Sequence, residues 1–230
     1  DTARPCMFSD TMEDYLKAIY VLQTERGPPV STSAIAEYLE KTPPTVTSMV
    51  SSLADHDLID HEKYKGVELT EEGETVALEV IRHHRLLETY LTEHLDYDWH
   101  EVHEEADALE HHISEEFERR VAEALDNPSV DPHGDPIPGV DLDPIESDDT
   151  DRLTEFEAGD HVVVSRVSDR DEDELTYLEN AGITPGTELE LTDIAPFGMV
   201  TVVTPDGDEQ SLPESVARSI RVEPVDEAVA

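Results

Sequence analysis

Apolar positions repeat at helical spacing through the first half of the chain and then give way to short alternating runs. Met12, Leu16, Ile19 and Tyr20 lie on one face of a helix predicted over 10–26, which Gly27-Pro28-Pro29 stops. A short second helix, about 32–40, turns Ile35, Ala36 and Leu39 inward. Thr42-Pro43 then reads as an N-cap followed by Pro at the first helical position. Val46, Met49, Val50 and Leu53 form the i, i+3, i+4, i+7 stripe of that third helix, which runs to about His56. Leu58 and Ile59 enter a strand, Lys63-Tyr64-Lys65-Gly66 turns, and Val67 and Leu69 alternate back. Three helices and a hairpin in this order make a winged helix-turn-helix pattern.

Thr70 caps a long helix that opens with Glu71 and Glu72, where the helix dipole favours them. Val76, Val80, Leu87 and Leu91 give its buried face. A second long helix is expected over about 98–126, with Val102, Ala106, Leu109, Ile113 and Phe117 inward. These two exceed what a small winged domain needs and suggest a dimerisation layer. A Pro-, Gly- and Asp-rich stretch over 127–145 and a polar linker over 146–152 follow. Beyond it, 162–164, 189–191, 199–203 and 220–222 read as strands separated by glycines, the signature of a small five-stranded barrel. The expected fold is mainly α with a small β domain. Its divisions are a winged helix-turn-helix domain (1–75), a helical dimerisation and metal-binding domain (76–145) and a C-terminal SH3-like barrel (153–226).

Charge changes the picture. The chain has 230 residues with 57 acidic and 15 Lys or Arg side chains, a formal charge of −42. The acid is not a tail: residues 1–75 carry net −9, 76–150 net −18 and 151–230 net −15. Acidic residues alternate with regular apolar positions, so they coat folded domains. Only four of the basic residues are lysine. Such a surface repels itself in dilute buffer, but at molar salt the Debye length falls to about 3 Å and the repulsion is screened. The composition therefore fits a halophilic cytoplasm, and net charge cannot exclude nucleic acid as a partner. No apolar run is long enough to span a bilayer, and the single cysteine, Cys6, excludes an intrachain disulfide framework.

Opposite its apolar stripe, the third helix carries Pro44, Thr45, Thr47, Ser48 and Ser51. A helix that enters the major groove needs short polar side chains there, because long ones would hold it off the base edges. Lys63 and Lys65 sit at the hairpin tip, where a wing meets phosphates. Each feature alone is an ordinary surface choice; in this order they point to double-stranded DNA. Counterion release contributes little at molar salt, so DNA affinity should fall less steeply with salt than for ordinary regulators, or rise.

A second constellation lies on the long helices. His84 and Glu88 are four apart, as are His103 and Asp107, and Glu110 and His111 follow Asp107 by three and four. These spacings put side chains on one helical face. Asp14, preceded by Glu13, offers a further carboxylate. In a chain so rich in acid, an acid beside a histidine is common, and His83 and His112 are read as surface residues. Oxygen and imidazole donors without thiolate favour Mn2+ or Fe2+. No Walker loop, H-E-x-x-H, G-x-S-x-G or dinucleotide glycine pattern is present, so no enzyme is indicated.

Met12 to Tyr20 (MEDYLKAIY), TPPTVT at 42–47, LTEEG at 69–73, HHRLLE at 83–88, VHEEADALEHHIS at 102–114 and GDPIPG at 134–139 together resemble the diphtheria-toxin-repressor family of metal-dependent transcriptional regulators. The resemblance implies a homodimer, closed by Mn2+ or Fe2+ onto palindromic operators of metal-uptake genes, usually as a repressor. By position it implies a principal metal site at Asp14, Asp107, Glu110 and His111. It also implies a second site at His84, Glu88 and His103, with Asp169 and Glu172 as ligands from the third domain. Iron-type members carry methionine and cysteine at the positions of Asp14 and Asp107, and manganese members carry an acid at that of Lys17; the chain stands between them. A metal-responsive activator and a metal buffer that does not bind DNA are the alternatives.

Overall fold

The computed structural model describes residues 8–62, 65–145, 150–196 and 198–225. The chain divides into two compact units. The first comprises residues 1–87, 106–129 and 137–147, the second 88–105, 130–136 and 148–230.

In the first unit, Ser9 caps α1 (Asp10–Arg26) by accepting from the Met12 amide. Ser31 does the same for α2 (Thr32–Tyr38) through the Ala34 amide. Thr42 stands at the N-cap of α3 (Pro43–Asp55) without capping an amide, and its hydroxyl pairs with that of Thr45 at 2.8 Å. β1 (Ile59–Glu62) and β2 (Gly66–Leu69) pair antiparallel with Ile59 opposite Leu69, and Val30 bridges to Val67. Leu16, Ile19, Ile35, Val46, Val50, Leu53, Leu58 and Val67 are fully buried, so the predicted stripes of all three helices and the wing meet in one core. Gly73, in the first turn of α4 (Glu71–Leu95), has no room for a side chain: a Cβ would lie 1.9 Å from the Leu58 carbonyl oxygen. That close approach fixes the wing against the start of α4.

The predicted helix over 98–126 is two helices, α5 (Val102–Leu109) and α6 (Glu115–Ala124). Ser114 restarts the second by accepting from the Phe117 amide, with Glu115, Glu116 and Glu118 in its first turn. The break resets the helical phase. Phe117, expected inward, is exposed, and Val121 and Ala122 are buried instead.

The second unit holds an antiparallel sheet of six strands rather than five, in the order β3-β8-β4-β5-β6-β7. These are β3 (Asp151–Arg152), β4 (His161–Val167), β5 (Glu188–Ile194), β6 (Val200–Val203), β7 (Glu209–Leu212) and β8 (Ile220–Pro224). Val162, Val164, Leu189, Leu191, Val200, Val202, Ile220 and Val222 alternate into its core, joined by Leu175 and Leu178 of α7 (Glu172–Asn180). α8 (Glu214–Ser219) leads into β8. The acidic run after Asp169 is therefore mostly helix: Asp171 caps α7 by accepting from the Glu174 amide, and acid in the first turn suits the dipole. No helix among the described residues is long and apolar enough to cross a membrane.

Candidate metal centres and DNA-reading helix

The first cluster lies wholly within the first unit. α1 presents Glu13, Asp14 and Lys17, α4 presents His84, α5 presents Asp107, and Glu110 and His111 follow immediately after α5. One turn of α1 separates Asp14 from Lys17, which aims both at the end of α5. His111 is clasped on both ring nitrogens: Nδ1 is 2.6 Å from Glu13 Oε2 and Nε2 is 2.9 Å from Asp14 Oδ1. Burial works against a charged ring. The hydrogen bonds to Asp14 and Glu13 and the charge of Glu110 outweigh it, raising the His111 pKa to about 10. Glu110 is buried, with its Oε2 2.6 Å from His84 Nδ1 and 2.8 Å from Lys17 Nζ. Burial opposes its ionisation, but the His84 hydrogen bond and the Lys17 charge prevail and lower its pKa. Asp14, Glu110 and His111 each offer a ligand atom within 4.8 Å of the others, and so do His84, Asp107 and Glu110. Asp107 therefore meets its neighbours through Glu110, His84 and Lys17.

The second cluster lies within the second unit. Glu88, on the last turns of α4, is fully buried and sits 3.2 Å from His103 Nδ1 through its Oε1. Asp169, between β4 and α7, places Oδ2 3.3 Å from the same nitrogen. Burial would raise the Asp169 pKa; His103 and His133 nevertheless hold it well below the usual carboxylate range. His84 belongs to the first unit, and Glu172 is exposed on the first turn of α7, outside these groups.

Two members of the second cluster were not anticipated from sequence. Asp131 and His133 stand in the Pro- and Gly-rich stretch that reads as a boundary, yet both are buried, and their ligand atoms lie within 4.8 Å of that of Glu88. The Asp131 Oδ1 accepts from the backbone amides of His133 and Asp135, each at 2.9 Å. Gly134 presses the loop onto β4: its φ is +90°, and a Cβ would fall 2.1 Å from the Ser165 carbonyl oxygen. The D-P-H-G-D spacing over 131–135 was the available signal, as was Glu13 lying beside Met12 on the apolar face of α1.

Two atoms test whether a divalent cation fits. His133 Nε2 is 2.9 Å from the Trp99 carbonyl, which can only accept, so Nε2 carries the proton. Its Nδ1 is buried without a hydrogen bond, 3.7 Å from Glu88 Oε2. That is the arrangement that orients a histidine toward a metal. Burial would lower the His133 pKa, but the surrounding Glu88, Asp131 and Asp169 charges raise it to about 9. In the first cluster, Glu110 Oε1 is likewise buried without a hydrogen bond, 3.3 Å from His111 Nε2. Both donor sets combine carboxylate oxygen and imidazole nitrogen, which suits Mn2+ or Fe2+.

His83, expected at the surface, is buried. Its Nδ1 donates to the Glu110 carbonyl at 3.1 Å, and its Nε2 lies 3.4 Å from Glu118 Oε2. Arg82 completes this lock, with Nε on Glu118 and a guanidinium N–H on the Pro138 carbonyl at 2.6 Å. His112 is exposed.

On α3, Pro44, Thr45, Thr47, Ser48 and Ser51 are all exposed, opposite the buried Val46, Val50 and Leu53. The Thr47 hydroxyl donates to the Pro43 carbonyl at 2.9 Å and that of Ser51 to the Thr47 carbonyl at 3.0 Å. Lys65 is exposed and pairs with Glu62; Lys63 lies outside the described residues.

Three family models match in sequence order. "Iron dependent repressor, N-terminal DNA binding domain" covers residues 7–67, "Iron dependent repressor, metal binding and dimerisation domain" 70–139, and "FeoA domain" 152–224. The iron-dependent repressor IdeR of Mycobacterium tuberculosis is 38% identical over 228 residues, covering 94% of this chain and 98% of that protein. The chain belongs to the iron-dependent repressor family. Within that family, the diphtheria toxin repressor of Corynebacterium diphtheriae is 33% identical, covering 93% of this chain and 97% of its own. Among solved structures, a manganese-dependent transcriptional repressor in complex with manganese superposes with a TM-score of 0.85 at 36% identity, covering 93% of this chain and all of that one. The manganese regulator SloR gives 0.77 at 35% identity, covering 93% and 98%. These relatives are transcriptional repressors rather than enzymes, and the small β domain expected as SH3-like is the one that the FeoA model matches.

Proposed function

We propose that this chain is a metal-dependent transcriptional repressor of the cytoplasm, a homodimer that binds palindromic double-stranded operators of metal-uptake genes when loaded with Mn2+ or Fe2+. The observation that carries the reading is the approach of Asp14 Oδ1 to His111 Nε2 at 2.9 Å, with Glu110 Oε1 beside them. It joins the first helix of the DNA-reading domain to the helix layer that the family model describes as metal-binding and dimerising. α1 packs against α3 in the shared core, so whatever fixes α1 fixes the reading helix.

In this reading Asp14, Glu110 and His111 hold the principal ion, with Asp107 beside it on Lys17 and His84. Glu88, His103, Asp131, His133 and Asp169 hold another in the second unit. When bound, the cation supplies charge neutralisation that lets buried carboxylates converge. The residues do the rest. His111 gives up the Nε2 proton, and Glu13 keeps the ring oriented through Nδ1–H. Asp14 then ties α1 to the end of α5, and the two reading helices of the dimer take one spacing for an operator's two half-sites. Pro44, Thr45, Thr47, Ser48 and Ser51 face the major groove, and Lys63 and Lys65 meet the phosphates.

Asp14→Ala should abolish Mn2+-dependent operator binding in a gel shift, a loss of 100-fold or more on the order of one ligand's contribution to coupling, with an unchanged circular dichroism spectrum. Because coupling is reciprocal, operator DNA must raise Mn2+ affinity by the factor that Mn2+ raises DNA affinity. Equal Mn2+ affinities with and without operator would refute the switch.

A further inference from the structure

The first cluster already contains a cation of its own. Lys17, one turn beyond Asp14 on α1, carries Nζ to 2.8 Å from Glu110 Oε2, 3.0 Å from Asp107 Oδ1 and 3.1 Å from His84 Nδ1. Those three atoms converge within 4.8 Å of one another as a metal-type donor group. They come from three separate parts of the chain: α4, α5 and the turn after it. The lysine is mostly buried, with a side-chain exposure of 19%, and Glu110 is at 1%. Its charged end reaches the point where the donors meet.

The geometry splits the cluster in two around Glu110. Oε2 faces the ammonium; Oε1, buried and without a hydrogen bond, faces His111 and Asp14. One half therefore has a cation built into the chain, and the other has donors with an open lone pair. A divalent ion among His84, Asp107 and Glu110 Oε2 would share that space with an ammonium and be repelled by it. At such separations in a partly buried site, the repulsion between a divalent ion and an ammonium is strong enough to exclude one of them.

We propose that Lys17 acts as a tethered cation that fills the His84–Asp107–Glu110 half of this cluster, so that the cluster takes up one divalent ion, at Asp14, Glu110 and His111, rather than two. The proposal rests on the metal-binding reading above and adds its stoichiometry. One consequence is a response to metal with no cooperativity inside the cluster. Another is that the three donors stay assembled when metal is scarce, because the ammonium holds Asp107 and Glu110, and Glu110 in turn holds His84.

The test uses the full-length chain in molar KCl, with His103→Ala and His133→Ala to remove second-unit binding. Mn2+ per protomer is counted after equilibrium dialysis, and the electron paramagnetic resonance spectrum is recorded. Expected values are one ion with an uncoupled spectrum for this background, and two ions with exchange-coupled lines once Lys17→Glu is added. Two coupled ions in the background, or one uncoupled ion in the Lys17→Glu chain, would overturn the proposal. Zero ions in the background would instead remove the metal-binding reading itself, and the proposal with it. Lys17→Gln guards against misfolding of the charged variant. With EDTA its melting temperature should fall by about 4 °C or more relative to the parent, and Mn2+ should recover the loss. An unchanged melting temperature in EDTA would also overturn the tethered-cation role.

Discussion

The two clusters are built from the same donor types but differ in depth. In the first, Asp14 and Asp107 have side chains about half exposed, at 48% and 50%, and the donors span α1, α4, α5 and the following turn. In the second, Glu88 and His133 have no exposure, only His103 and Asp169 reach about a quarter, and a backbone carbonyl and a glycine-pinned loop fix the geometry. A shallow site shared between elements can change its occupancy quickly and move what it joins. A deep one changes slowly and mostly contributes to holding its own unit together. Under the proposed function, switching then falls to the first cluster and architecture to the second.

That contrast can be broken by mutation. Glu88→Gln leaves His103 and His133 without their shared carboxylate, and should cost about 3 kcal/mol of unfolding free energy in denaturant melts. Its gel-shift response to Mn2+ should stay within a few fold of wild type in molar KCl. A variant of Glu88 that kept full stability and lost operator binding would reverse the two roles. A smaller effect sharpens the first cluster. Glu13→Gln keeps the shape but weakens the grip on His111 Nδ1, and should lower Mn2+ affinity by about tenfold in titration calorimetry. An unchanged affinity would remove Glu13 from the site.

The pH dependence gives the finest comparison. Both His111 and His133 have pKa values raised above the ordinary 6.5, to about 10 and about 9. In EDTA the stability that each charged ring contributes is present in full below pH 6.5. It is lost as pH rises through 9 for the second cluster and through 10 for the first. With Mn2+ the sign reverses, because a proton must leave for the ligand to bind, so affinity climbs with pH over the same range. Chemical-denaturation curves at several pH values, with EDTA and with Mn2+, measure both slopes; parallel slopes would contradict this account.

Much of this was legible in the chain. The stripes of α1, α3 and α4 and the cap at Thr70 mark positions that the structure uses, because local periodicity and burial agree there, while Thr42 holds the N-cap position of α3 without capping an amide. The break between α5 and α6 was hidden because Leu109, Ile113 and Phe117 continue the spacing of Val102 and Ala106, and neither glycine nor proline interrupts them. The informative signal was Ser114 with acids at 115, 116 and 118, a start mark inside an apparently continuous helix. α7 was concealed by its own charge, since only Leu175 and Leu178 stand out from the acids around them. β3 is two residues long and β7 is mostly polar, so hydropathy alternation could not find either edge. Of the chemistry, the residues on helices showed themselves through spacing. Asp131 and His133 did not, because a loop has no period and their convergence on Glu88 depends on tertiary contacts.

The back-bonded hydroxyls of α3 carry a consequence for what the helix can read. Thr47 and Ser51 spend their only hydrogens on the carbonyls one turn behind, so toward a groove they show oxygen lone pairs alone. Lone pairs complement the exocyclic amino groups of adenine and cytosine and reject the carbonyl edges of guanine and thymine. Being uncharged, such contacts owe nothing to released counterions, and they keep their discrimination in brine concentrated enough to silence an arginine.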